Sequence, residues 1–179
     1  MKFMAMTAVA LTMTGAAQAA DFKVTSADFA DGTVHEAQFA NGFGCSGGNI
    51  SPGITWSGAP EGTKSFVVTM YDKDAPTGSG FWHWVVVDIP ADSTALPAGA
   101  GGDATRLPKG ARMSANDASQ PTFLGACPPV GQIHDYTITV KALKVNKLPV
   151  PANATAALIG YMSNINVLAT ATISAKGSQ

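Results

Sequence analysis

Charge is what this sequence has least of. Only 13% of its 179 residues are Asp, Glu, Lys or Arg, about half the usual ~25% of a soluble domain. The 11 bases nearly cancel the 12 acids. A nucleic-acid binder that works by neutralising phosphates needs a basic surface, so that class is excluded. No polybasic run or basic amphipathic helix is present, which removes electrostatic attraction to anionic membranes. Cysteine is scarce: Cys45 and Cys127 are the two, and with no CxxC or His-rich spacing beside them they do not spell a zinc site. HExxH and GxSxG elements are also missing, so neither a zincin nor an α/β-hydrolase nucleophile is encoded. Past residue 20 no apolar run approaches the ~20 residues a membrane-spanning helix requires. The 19 glycines and 11 prolines make a turn-rich chain, well short of collagen or low-complexity composition. With 46% apolar residues and near-zero net charge, the chain can bury enough surface to fold, and disorder is excluded.

The length is that of one domain preceded by a leader. Lys2 is a short positive start, Phe3 to Met13 is an apolar stretch, and Ala17-Gln18-Ala19 fits a small-x-small cleavage site. This is the pattern of a secretory signal over residues 1–19, leaving one domain from 20 to 179 in the periplasm or outside the cell. Loss of Lys2 leaves ten bases against twelve acids. In an oxidising compartment an even cysteine count predicts a Cys45–Cys127 disulfide, with two free thiols as the alternative.

Along the remaining chain, alternating and β-branched runs predict strands at Phe22–Thr25, Ile54–Trp56, Ser65–Tyr71, His83–Ile89 and Tyr136–Leu143. Turn signals such as Asn41-Gly42, Ser51-Pro52-Gly53 and Ala75-Pro76-Thr77-Gly78 separate them. The pattern is mainly β, an antiparallel β-sandwich. One C-terminal helix is expected from about Ala154 to Leu168, capped by Asn153, with Leu158, Tyr161, Ile165 and Leu168 as its core stripe. Residues 91–133 lack periodicity, and a run of that length reads as a loop that walls a site.

Sorting strand residues by alternate faces gives the functional signal. Phe66, Val68, Met70 and Asp72 share one face. His83, Val85, Val87 and Ile89 share another, with Trp82 and Trp84 opposite, and His134, Tyr136, Ile138 and Val140 share a third. Each apolar face ends in an ionisable group, so Asp72, His83 and His134 are expected at one rim of the core, around a small pocket. Asp74, at i+2 from Asp72, is expected on the same side. Two imidazoles that titrate near neutrality, their pKa values raised by adjacent Asp, attract a phosphate or carboxylate, and a zwitterion such as phosphoethanolamine suits both signs.

Three blocks then stand out: Tyr71-Asp72-Lys73-Asp74-Ala75-Pro76; Trp82-His83-Trp84-Val85-Val86-Val87-Asp88-Ile89-Pro90; and Gly125-Ala126-Cys127-Pro128-Pro129 followed by His134-Asp135-Tyr136. With Asn41-Gly42-Phe43-Gly44-Cys45, Asn49-Ile50-Ser51-Pro52 and Leu107-Pro108-Lys109-Gly110, they resemble the phosphatidylethanolamine-binding protein family, in particular its bacterial Raf-kinase-inhibitor-like branch. The resemblance implies a β-sandwich with a pocket for phosphate or a phosphorylated lipid headgroup. It implies a pocket formed by Asp72, Asp74, His83, His134 and Tyr136, walled by Phe81, Cys127 and Pro128, and a cis peptide at Ala75-Pro76. Two positions depart from the pattern: Lys73 replaces a proline, and Asp135 stands where the family commonly has Arg.

The expected function is therefore a non-enzymatic binding protein, monomer or homodimer, for a phosphate or phosphoethanolamine-like ligand, with no cofactor and with a second role, the modulation or inhibition of an unspecified protein target, left open. The competing reading is a hydrolase in which the same Asp and His groups act as acid and base or hold a metal. A third is a protein-directed module whose pocket is vestigial.

Overall fold

A computed structural model describes residues 21–179; the expected signal segment, residues 1–19, lies outside the described residues. The strands in chain order are β1 (Lys23–Thr25), β2 (Asn41–Gly42), β3 (Cys45–Ser46), β4 (Ile54–Ser57), β5 (Ser65–Asp72), β6 (Phe81–Pro90), β7 (Ala95–Leu96), β8 (Arg112–Met113) and β9 (Ile133–Leu143). A helix, α1 (Ala156–Asn166), and a last strand, β10 (Val167–Ser178), complete the chain. The strands form a five-stranded antiparallel sheet in the order β10-β9-β5-β6-β8, a three-stranded antiparallel sheet β1-β4-β7 and the small hairpin β2-β3. No described helix is long and apolar enough to cross a membrane.

The two larger sheets enclose the main core. Val24, Ile54, Trp56 and Leu96 of the smaller sheet meet Phe66, Val68, Met70, Trp84, Val86, Tyr136, Ile138 and Val140 of the larger. A second cluster, with Val67, Val85, Val87, Leu143 and Ile159, fills the space between the other face of the large sheet and α1. β5 lies between β9 and β6 and is covered on both faces, so nearly its whole run Ser65–Asp72 is buried.

Strict alternation fails in β6, because two bulges interrupt its pairing with β5. Met70 pairs with Trp84 and Tyr71 with Trp82, so His83 is an extra residue; Phe66 pairs with Ile89 and Val68 with Val86, adding a second near Val87 and Asp88. Each bulge reverses the phase of alternation. Trp84 and Val86 therefore join the main core while Val85 and Val87 face α1, correcting the face expected for His83, Val85, Val87 and Ile89 and for Trp84. At the second bulge Asp88 adopts φ 58°. Its buried carboxylate accepts from Arg112 Nε at 3.1 Å and from the Leu148 N–H at 2.8 Å.

The helix is shorter than expected and turned. Thr155, not Asn153, caps it, its hydroxyl accepting from the Leu158 N–H at 3.2 Å. Ala156, Ile159, Ser163 and Asn166 face inward, whereas Leu158, Tyr161, Ile165 and Leu168 are exposed. Small residues at the contact let the helix lie close on the sheet, which the bulkier stripe would prevent. β10, where no strand was expected, begins where α1 stops. The long 91–133 connection holds only β7, β8 and one short 3-10 turn.

Candidate functional site

At one end of the large sheet a cavity of about 230 Å³ is lined by Asp72, Phe81, His83 and His134 from the strands, with Ala40, Phe43, Ala75, Pro76, Thr77, Leu124, Gly125, Cys127 and Pro129 from loops. Antiparallel pairing creates this gathering: Asp72 pairs with Phe81 on one side and with Tyr136 on the other, so the last residue of β5 meets the first turns of β6 and β9. The bulge at His83 delivers its imidazole to the same side as Phe81, with ring centroids 4.9 Å apart.

Asp72 and His134 form a buried pair. The imidazole Nδ1 donates to Asp72 Oδ2 at 2.7 Å, and both side chains are within a few per cent of complete burial. The other carboxylate oxygen of Asp72 accepts from the N–H groups of Asp74 at 2.8 Å and Ala75 at 3.1 Å. This turn bends the chain out of the extended conformation, so the i+2 relation fails and Asp74 does not line the cavity. Asp74 instead engages Lys73 at 2.8 Å and accepts from the Asp135 N–H at 2.8 Å. The same turn proceeds through a trans Ala75–Pro76 bond, as no cis peptide occurs among the described residues. His134 Nε2 lies 3.0 Å from Gln132 Oε1.

His83 Nδ1 donates to the Leu124 carbonyl at 2.8 Å. That bond fixes the neutral tautomer and leaves Nε2 for the cavity. Burial pushes the His83 pKa below its ordinary 6.5, outweighing the opposing Leu124 bond and the nearby Asp72 and Asp117 carboxylates. The expected upward shift from adjacent Asp is thus reversed at this residue. Tyr136 does not line the cavity; its ring lies beside both imidazoles, with centroids 5.3 Å from His83 and 6.4 Å from His134. Its fully buried hydroxyl has no hydrogen-bond partner, although Asp72 and the Cys127 backbone are close enough to perturb it. Burial, followed by Asp72, pushes its pKa up, so the phenol stays protonated and remains a donor.

Loops complete the wall. Cys45 and Cys127 are disulfide-bonded, with Cα atoms 5.9 Å apart across 82 positions, and bring the β2–β3 hairpin to the cavity. At its tip Phe43 has φ 55° and is 79% exposed while still lining the opening. A bulky residue is uncommon in that left-handed region. Gly125 passes so close to Phe39 and Ala40 that a Cβ would lie 2.4 Å from the Ala40 nitrogen, and its N–H donates to Asn49 Oδ1 at 2.7 Å. Pro128 does not line the cavity and its carbonyl accepts from Gln179 at 2.7 Å; Pro129 takes the wall position instead. Ala75, Pro76 and Thr77 were visible in the sequence only as a turn. Phe43 sat between two glycines that mark a hairpin, and its place at the mouth depends on the disulfide.

Among the described residues no group of three or more His, Cys, Asp or Glu side chains is arranged to hold a metal ion. The cavity wall offers one free imidazole nitrogen and a paired carboxylate–imidazole in mostly apolar surroundings, with the Tyr136 ring behind both imidazoles.

The family model for phosphatidylethanolamine-binding protein matches residues 25–178. The UPF0098 protein YbcL of Escherichia coli K12 is 53% identical over 176 residues, covering 97% of this chain and 96% of that one. The UPF0098 protein YbhB of the same organism is 45% identical over 155 residues, 86% of this chain and 98% of that one. The crystal structure of E. coli YbcL, described there as a new member of the mammalian PEBP family, superposes with a TM-score of 0.85 at 52% identity, over 89% of this chain and 99% of that one.

Proposed function

The chain belongs to the phosphatidylethanolamine-binding protein family, and from that membership we propose that it is an exported, non-enzymatic binding protein whose cavity takes a phosphate or the phosphorylated part of a headgroup such as phosphoethanolamine. The observation that carries this reading is the His83 imidazole, whose Nδ1 is bound to the Leu124 carbonyl and whose Nε2 is left free at a cavity lined also by His134. That nitrogen is free to take a proton and donate to an oxyanion in the cavity. Asp72 holds the His134 ring in place through its hydrogen bond with Nδ1. Phe43 at the mouth suits the apolar or methylene portion attached to a phosphate ester.

Export follows from the leader pattern of residues 1–19 and agrees with a disulfide. Modulation of a protein target would use the loops around the mouth; no residue names the target. The hydrolase alternative is less well supported, because the cavity's hydroxyl group, Thr77, donates to the Gly80 carbonyl and Nδ1 of each imidazole is already engaged.

Calorimetric titration with inorganic phosphate and phosphoethanolamine, combined with NMR of the histidine rings, tests the proposal. Both His83 and His134 resonances should move on saturation, and His83→Gln should weaken binding about tenfold, the ratio expected for one hydrogen bond of ~1.4 kcal/mol. Saturating ligand that leaves both rings unmoved would overturn it.

A further inference from the structure

The β2–β3 hairpin is held in two different ways. Its base is fixed by backbone bonds: the Ala40 N–H donates to the Ala126 carbonyl at 2.9 Å, the Ala126 N–H to Gln38 at 3.0 Å and the Asn49 N–H to Phe39 at 2.7 Å. Its tip, residues 41–46, pairs only with itself. Among the described residues no backbone hydrogen bond joins the tip to another segment, no residue of the tip is buried, and neither core cluster includes one. What ties it down is the Cys45–Cys127 bond, with one added contact from the exposed last residue, Gln179 Nε2 to Cys45 Sγ at 2.8 Å. Phe43 keeps φ 55° between Gly42 at 152° and Gly44 at 92°. A bulky residue leaves that region once the surroundings stop enforcing it. The backbone of the tip therefore does not hold Phe43 at the cavity mouth; the disulfide does.

That bond stands between two cavities. Cys127 lines the ligand cavity, and Cys45 lines a second surface cavity of about 320 Å³ together with Glu36, Phe39, Ser46, Ser178 and Gln179. Each cysteine is only partly buried. A thiolate attacks a disulfide along the S–S axis, and access decides which sulfur it reaches. From the second cavity the reachable residue is Cys45, with Cys127 behind it as the leaving group. Enclosed disulfides resist reduction, whereas accessible ones are the labile and regulatory kind.

We infer that the Cys45–Cys127 bond is a redox latch on the ligand cavity, opened by a neutral or basic dithiol that enters through the second cavity. Glu36 and the terminal carboxylate of Gln179 give that entrance its sign and disfavour an anionic thiol. The reductant's thiolate bonds to the Cys45 sulfur as the Cys45–Cys127 bond breaks, and Cys127 leaves as a thiolate and takes a proton. The second thiol of the reductant then displaces Cys45 from the mixed disulfide. Two electrons and two protons pass to the protein, and the dithiol becomes a disulfide. The freed tip carries Phe43 off the mouth, so that this wall of the cavity forms only part of the time. A wall present for about one-tenth of the time raises the apparent Kd about tenfold. This loss of affinity rests on the proposed function; the cleavage and the release of the tip do not.

Dithiothreitol, a neutral dithiol, tests this in native buffer without denaturant, read by thiol alkylation, NMR relaxation, amide hydrogen exchange and calorimetry with phosphoethanolamine. Alkylation should find both cysteines as thiols. Backbone order parameters over residues 42–46 should fall from ~0.85 to below ~0.6, while the amides of β5 and β9 stay protected. Affinity for phosphoethanolamine should fall about tenfold and return on reoxidation. Cys45→Ser, which leaves Cys127 in the cavity wall, should match the reduced wild type and no longer respond to dithiothreitol. Oxidised Phe43→Ala should bind as weakly as the reduced wild type, and reduction should weaken it no further. A bond that yields only in denaturant overturns the inference. So does a reduction that exposes β5 and β9 to exchange, which would make the bond a staple of the whole fold. A reduced wild type whose tip stays rigid, or whose affinity is unchanged, overturns it as well. If the oxidised chain takes no phosphoethanolamine, the proposed function fails, and alkylation and relaxation still decide whether the latch opens.

Discussion

The Lys73 ammonium lies 3.0 Å from the Asp135 carboxylate, so the two positions at which the chain departs from the family pattern are partners. Asp135 also receives Lys176 at 2.9 Å, and Lys73 reaches Asp74 at 2.8 Å. This surface strap ties the turn after β5 to β9 and β10 just outside the cavity. Donation to Asp74 and then to Asp135 raises the Lys73 pKa, while the bonds that Asp135 accepts from Lys176 and then Lys73 lower its own. All these groups are in water, so screening by salt governs their worth. Replacing Asp135 with Asn should lower the melting temperature slightly in dilute buffer and not at all in ~1 M salt, where the Debye length is ~3 Å. A loss that persists in high salt would mean that Asp135 acts through its short hydrogen bonds with Lys73 and Lys176 rather than through screened charge.

The Asp72–His134 pair is the opposite case, because both partners are buried. Asp72→Ala removes the carboxylate that fixes the imidazole and also the acceptor of the Asp74 and Ala75 N–H groups. Breaking a buried pair of this kind costs about 3–5 kcal/mol. Urea denaturation should report that loss, and phosphate binding should disappear with it. Asp72→Asn keeps one oxygen acceptor and should lose less stability than the alanine variant.

His83 makes stability depend on pH with a definite sign. Its pKa is lowered by folding from about 6.5, so below that pH the unfolded chain binds a proton that the native protein refuses. Stability is therefore full above pH ~6.5 and declines as pH falls from 6.5 toward the depressed native value. His83→Gln, which retains an amide donor toward Leu124, should flatten this limb of a melting-temperature profile recorded between pH ~5 and ~8. The same proton links to ligand: an anion favours charged His83, so sulfate, which does not itself titrate in this range, should bind more tightly as pH falls. The groups that set this balance are Asp72, Asp117 and the backbone at Leu124 and Gly125. Sulfate affinity that is flat with pH would remove His83 from the anion site.

Much of the sheet was legible because β5 and β9 obey simple alternation, so Phe66, Val68, Met70 and Asp72, and likewise His134, Tyr136, Ile138 and Val140, share the faces that periodicity assigns them. β6 was legible as a strand but not as a surface. Its bulges leave no mark in the pattern of apolar residues, since Trp82 to Ile89 is apolar on both faces apart from His83 and Asp88. β10 escaped notice because four of its five inward positions, Ala169, Ala171, Ala175 and Gly177, are small residues with little hydrophobic contrast to Thr and Ser, and Ile173 alone marks no period. Gly177 is small for a reason visible only in space: a Cβ there would come within 2.8 Å of the Tyr136 ring. Of the residues that line the cavity, Asp72, His83, Cys127 and His134 stand in the motif blocks, and Phe81, just outside them, was reached only through the family resemblance. Asp74 was misplaced because the turn made by Asp72 cannot be seen in a spacing rule.

The helix provides the sharpest contrast between periodicity and packing. Leu158, Tyr161, Ile165 and Leu168 have helical spacing and larger side chains than the stripe Ala156, Ile159, Ser163 and Asn166, yet the second stripe is the buried one. Ile159 is fully buried among Val67, Val85, Val87 and Leu143. Its truncation leaves a hole that the sheet cannot close. Ile159→Ala should cost about 2–5 kcal/mol. Leu158→Ala, one residue earlier and 38% exposed, should cost no more than ~1 kcal/mol, because truncation at the open side of the helix leaves no enclosed cavity. Chemical denaturation of the two variants separates the alternatives directly: a larger loss at Leu158 would restore the face that periodicity selects, and would require α1 to be rotated by about one residue, ~100°, from its observed setting.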